Sequence, residues 1–187
     1  MTLRPLQKLI TLAVLAFPLV ASAHNFAQNQ RVAPVGITDK GELILDNGDF
    51  SYRNWNSAQL AGKVRVIQHI AGRSSAKEEN AALIEAIKSA QFPHDRYQTT
   101  TIVNTDDAIV GTGMFVRSSI ESSKKQYPWS QFIVDSNGVA RQKWQLESGG
   151  SAIVVLDNTG RVQFAKDGGL SQQEVQQVIA LLHKLLK

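Results

Sequence analysis

The stretch VIQHIAGRSSAKEENAALIEAIK, Val66 to Lys88, changes its periodicity at one glycine. Ahead of Gly72, KVRVIQHI (63–70) carries Val64, Val66 and Ile70 prominently with Ile67 opposite, the pattern of a strand. After it, Leu83, Ile84 and Ile87 share one helical face, Ser75-x-x-Glu78 has the form of a capping box, and Pro93 ends the helix. A strand that turns at once into a helix N-terminus is a common setting for a reactive side chain. Here the corner is Arg73-Ser74-Ser75-Ala76-Lys77, with no cysteine, histidine or carboxylate in it.

Working outward, the same alternation of elements continues. YQTTTIVN (97–104) is β-branched and expected to be a strand. Gly111-Thr112-Gly113 opens a polar helix from Met114 to Gln126, stopped before Pro128. QFIVD (131–135) is a short strand turned by SNG, and AIVVLD (152–157) is a near-continuous apolar run, as expected of a strand covered on both faces. Asn158-Thr159-Gly160 turns into RVQFAK, and Ser171-x-x-Glu174 caps a last helix with Val175, Val178, Ile179, Leu182 and Leu186 at helical spacing. Residues 24–62 are rich in turns, and ELIL (42–45) before DNGD forms half of an edge hairpin. Strand, helix, strand, helix, strand, hairpin, helix is the order of an α/β sheet with helices on both faces.

Residues 1–23 read as a secretory signal. Arg4 and Lys8 form a basic start, Leu9 to Val20 an apolar core, and Ala21-Ser22-Ala23 a cleavage site, leaving a single domain over 24–187. No integral membrane segment is expected after cleavage, and the expected compartment is the periplasm. The net charge of +4 shrinks once Arg4 and Lys8 are removed, and no dense basic run with interleaved aromatics is present. Nucleic-acid binding is therefore set aside. The chain of 187 residues has no cysteine, which excludes thiol–disulfide exchange, a thiolate peroxidase and any cysteine metal site.

LAGKVRVIQHIAGRSSAKEEN resembles the start of an exported thioredoxin-fold domain of the TlpA or peroxiredoxin-like kind, in which a CxxC motif opens the helix after the central strand. AIVVLDNTGRVQFAKDGGLSQQEV resembles the second half of that fold, and FIVDSNGVARQKWQL the extra strand and turn of the peroxiredoxin-like members. Residues 24–187 as a whole resemble the periplasmic YtfJ family, a cysteine-free branch without an assigned activity. The resemblance implies a thioredoxin-like α/β fold, a central mixed sheet flanked by helices, with an N-terminal β-hairpin extension. It puts the first CxxC cysteine at Ser74 and the second at Lys77. The family's facing cis-proline falls near Ser151, in GGSAIVV, where no proline stands. What carries over is fold and not redox activity.

The corner can still bind. A helix N-terminus presents unpaired N–H groups, and Arg73 and Lys77 add charge, so Arg73, Ser74, Ser75 and Lys77, faced by Ser151, form a docking point for an anion or a peptide carboxylate. The plainer reading is that Ser74 or Ser75 caps the helix and the cations are solvated. Two rivals come from other classes. Ser74-x-x-Lys77 matches a serine-hydrolase pattern, but Ser122-x-x-Lys125 matches as well, K-T-G is missing, and Asp135-Ser136-Asn137 is not S-D-N. Cleavage after Ala23 would make His24 an N-terminal copper chelator, while His69, His94 and His183 show no metal spacing. His69 is expected in the core, His94 in a loop and His183 on a solvated helix position. Asp106 and Asp107 lie at the C-terminal end of a strand, where ligands gather in open sheets, and are expected in a turn. Trp55, Trp129 and Trp144 are core or groove residues. The expectation is a binding or scaffold protein for a periplasmic protein or peptide, without cofactor.

Overall fold

The computed structural model describes residues 24–187, so the signal segment 1–23 lies outside the described residues. Seven strands form one mixed sheet in the order β2-β1-β5-β4-β3-β6-β7. The hairpin of β1 (Gly36–Asp46) and β2 (Asp49–Asn56) turns on Asn47-Gly48, both at positive φ, 49° and 94°, as the right-handed strand twist favours. Gly41 (φ +77°) has no room for a side chain, since a Cβ there would run into the Arg53 carbonyl oxygen.

β3 (Val64–Ala71) is buried along its whole length, parallel to β4 (Tyr97–Asn104) and antiparallel to β6 (Ser151–Leu156). β5 (Gln131–Asp135) continues the parallel pairing on β4, and β7 (Val162–Asp167) closes the far edge on β6.

Helices cover both faces, as the sequence leads one to expect. Leu83 and Ile87 of α2 (Ala81–Ala90) pack with Val175, Val178 and Leu182 of α5 (Gln172–Leu185) on Val66, Ile153 and Val155. Ile120 of α3 (Gly113–Gln126) joins a second cluster on that face, with Val103, Phe132 and Val134. The other face holds Ile67, Ile102 and Ile133 under Ala140 and Trp144 of α4 (Val139–Trp144). This short helix replaces loop where only an extra strand and a turn were expected. Asp135 starts it by accepting from Val139 N and Ala140 N at 3.0 and 2.8 Å.

The expected capping box at Ser171 forms as read, but the one at Ser75 does not. The Gly72 N–H is taken by Asn104 O at 2.8 Å, which turns the chain early, so α1 (Ser74–Glu79) starts at Ser74 with Arg73 as its N-cap. Neither serine caps the helix. Asn80 then breaks α1 from α2. Its buried amide donates to Ser151 Oγ (3.0 Å) and Gly168 O (3.3 Å), and its oxygen accepts from Leu170 N (3.0 Å). Asn80→Ala should cost about 2 kcal/mol in urea unfolding, because it strands buried groups on both sides of the break. A cost under about 0.5 kcal/mol would show that water replaces the amide without loss.

Candidate functional site

The sequence-derived site residues do not all meet. Ser74, Ser75 and Lys77 are exposed on α1, and Arg73 is half-buried at its start. The Arg73 Nε–H donates to Asp107 O at 2.5 Å, and its guanidinium lies against Gly149. Ser151 is buried and held within the fold: its hydroxyl accepts from Asn80, its N–H donates to Glu79 Oε2 (3.0 Å), and its C=O accepts from Gly168 N (2.7 Å). Gly150 O accepts from Ala71 N, and Gly149 N donates to Asp107 Oδ2. Four backbone groups of the loop facing the corner, Gly149 N, Gly150 O and both of Ser151, are thus engaged within the fold, and no cis peptide bond occurs among the described residues.

Asp107 organises this end of the sheet, which its sequence position alone did not indicate. Asn104 Nδ2 (2.9 Å) and Ser148 Oγ (2.8 Å) donate to its buried carboxylate, and Arg141 Nε lies 3.5 Å away. Burial pushes its pKa up, but the Ser148 hydroxyl, the Gly149 N–H and the Arg141 and Arg73 charges outweigh that and hold it below the ordinary value. Asp106 takes no part in that carboxylate's bonds; its N–H donates to Asn104 Oδ1.

The geometry gives the rivals little. The Lys77 ammonium is exposed and donates to Ser119 Oγ at 3.3 Å across to α3, so nothing orients it toward Ser74 as a base. His24 Nδ1 accepts from Phe26 N, and no group of three His, Asp or Glu able to hold a metal gathers among the described residues. His94 stacks on Trp129 at 4.4 Å, and His183 packs edge-on to Phe92. Trp55 and Trp144 are core, whereas Trp129 stands partly exposed.

Near the corner a groove of about 1040 Å³ lies between α2 and α3, floored by β3, β4 and β5. It opens beside Arg73, Ser74 and Lys77 and runs to Phe92, His94, Tyr127 and Trp129. It separates the two apolar clusters of that face. Its cause is compositional: Thr99 and Thr101 on the floor and Ser119 and Ser123 on α3 are too small to close the space. No Asp or Glu lines it, while Arg73, Lys77 and Lys88 do. Gln68, 5 % exposed, lines it, and its Nε2 has no hydrogen-bond partner among the described residues. Ile109 and Phe115, both largely exposed, form an apolar lip at the corner end. The signal for the groove lay in Gln68, Thr99 and Thr101, polar residues on a face otherwise made of Val, Ile and Phe.

The model of a family described as "Bacterial protein of unknown function (YtfJ_HI0045)" matches residues 26–185. The chain is 71% identical over 182 residues to an uncharacterised Escherichia coli protein, YtfJ, covering 97% of this chain and 99% of that one. It is 47% identical over 165 residues to an uncharacterised Haemophilus influenzae protein, covering 88% and 90%. Among solved structures, the thioredoxin domain of a thiol-disulfide oxidoreductase from Bacteroides vulgatus superposes with a TM-score of 0.55 at 11% identity, over 87% of this chain and 100% of that one. That likeness establishes a thioredoxin-like fold and carries no chemistry with it.

Proposed function

Since the chain belongs to the bacterial YtfJ_HI0045 family of unknown function, has a thioredoxin-like fold and contains no cysteine, we propose that it acts by binding and not by thiol chemistry. The observation that carries this reading is the groove opening beside Arg73, Ser74 and Lys77, large and mostly apolar, with polar groups inside it. The working surface then centres on the groove mouth and not on the loop at 149–151, where Gly149 N, Gly150 O and both Ser151 backbone groups are engaged within the fold. Residues 1–23 would deliver the protein to the periplasm, and among the described residues no helix is long and apolar enough to cross a membrane. A periplasmic peptide or protein is the partner this reading favours.

The test is saturable binding of the apolar fluorophore 1-anilinonaphthalene-8-sulfonate. Ser123 is half-buried on the groove wall, so Ser123→Trp should fill the space, cut fluorophore affinity at least tenfold and leave the melting temperature nearly unchanged. Equal affinity in both proteins, or no saturable binding to the wild type, would discard the groove as the working surface.

A further inference from the structure

We infer that the groove takes a short, extended polypeptide segment whose free C-terminal carboxylate lies at Lys77 and Arg73; this rests on the binding reading above and names its ligand. The buried carboxamide of Gln68 is the first ground. Its Nε2 is left without a partner among the described residues, which is costly inside a folded protein, and an acceptor satisfies it. A peptide carbonyl accepts, whereas the hydrocarbon of an acyl chain does not.

Spacing is the second ground. Thr99 and Thr101 stand two residues apart on β4, about 6.6 Å, and Ser119 and Ser123 stand four apart on α3, about 6 Å. Both intervals approximate the two-residue repeat of an extended chain, so the Thr101 and Ser123 hydroxyls, with those of Thr99 and Ser119 that also bond the Tyr97 hydroxyl and Lys77, would meet backbone groups in step. From Tyr97 to Val103 the floor runs about 20 Å, room for some six extended residues.

Charge supplies the direction. Lys88, toward the far end, is paired with Glu85 at 2.6 Å. Among the described residues Lys77 at the corner has only the Ser119 hydroxyl, whereas Arg73 donates to the Asp107 carbonyl and shares its charge with the Asp107 carboxylate, so Lys77 is the cation most open to an incoming anion. An incoming carboxylate is therefore drawn to the corner end. Its neighbouring peptide groups then lie over Thr101 and Gln68, which are paired across β3 and β4.

The experiment uses a pool of hexapeptides randomised at every position, made with either a free or an amidated C-terminus, and passed over the immobilised protein with mass-spectrometric readout. The free-carboxylate pool should be retained at least tenfold over the amidated pool, and Lys77→Gln should collapse that difference. Gln68→Leu should cut retention at least fivefold while the melting temperature holds or rises, since leucine removes the unpaired amide. Equal retention of the two pools, or full retention by Gln68→Leu, overturns the inference. So does hexadecanoate binding where peptides do not, which would make the occupant an acyl chain. If neither pool is retained but fluorophore binding is still lost in Ser123→Trp, the peptide inference falls and the groove reading stands. Loss of fluorophore binding altogether strikes the earlier reading instead.

Discussion

Replacing Asp107 with alanine should lower the unfolding free energy by about 3 kcal/mol, because a buried charge with several donors is worth more through them than any one bond. Three donors lose their acceptor at once: Asn104 Nδ2, Ser148 Oγ and Gly149 N. Arg141, whose Nε is buried and lies 3.5 Å from the carboxylate, loses its only ion-pair partner among the described residues. Asp107→Asn keeps the shape and one acceptor oxygen, so it should recover part of the loss. Urea unfolding at pH 7 gives the magnitude, and amide exchange at Gly149 should accelerate in the alanine variant. The acid limb offers a separate check. A carboxylate held below its ordinary 3.8 stabilises fully above that value and loses its contribution as pH falls through the folded pKa. Asp107→Ala should flatten stability in that window. A cost under about 1 kcal/mol would mean that water takes over the carboxylate's role.

The fold was legible where a segment's own pattern settles its state. YQTTTIVN spans β4 residue for residue, QFIVD spans β5, and the Ser171–Glu174 capping box forms as written. It was not legible where a distant group decides. Ser75-x-x-Glu78 is a sound capping box by composition, but the Gly72 bond to Asn104, from another strand, turns the chain before it. α4 has six residues, too few for periodicity to show, and depends on the Asp135 side chain and on Gly138 at φ +61°. The corner residues Arg73, Ser74 and Lys77 do lie at one mouth, but Ser151 is turned inward to Asn80 and Glu79. Gln68, Thr99 and Thr101 were visible as polar residues in strands. Whether they face a partner or a void depends on how far α3 stands from the sheet, and that is set by its serines.

Between pH 7 and 4 the protein should lose about 3 kcal/mol of stability through one residue, His69. The imidazole is 3 % exposed on β3, between Ile102 of β4 and Ala152 of β6, and its Nε2 has no hydrogen-bond partner among the described residues. Burial drives its pKa down to about 4; Asp107 pulls it upward and Arg141 pushes it further down. The unfolded chain takes up this proton near 6.5, the folded chain only near 4. In between the unfolded state holds more protons, so stability rises with pH across the window. The contribution is whole above about 6.5, falls away on acidification, and changes no further below about 4. The depressed carboxylates Asp107 and Asp157 act below 3.8 and Glu174 from 4.5 down to about 2, so their loss lies mostly below this window, while Asp135, raised from 3.8 by burial, acts against the His69 slope. His69→Leu should level the curve between pH 6.5 and 4 while keeping the steeper loss at lower pH. Persistence of the full slope in that variant would assign it to other groups. Because Asp107 is the group that raises the His69 pKa, Asp107→Ala should also shift the midpoint of the His69 transition to lower pH, linking the corner electrostatically to the central strand beneath it.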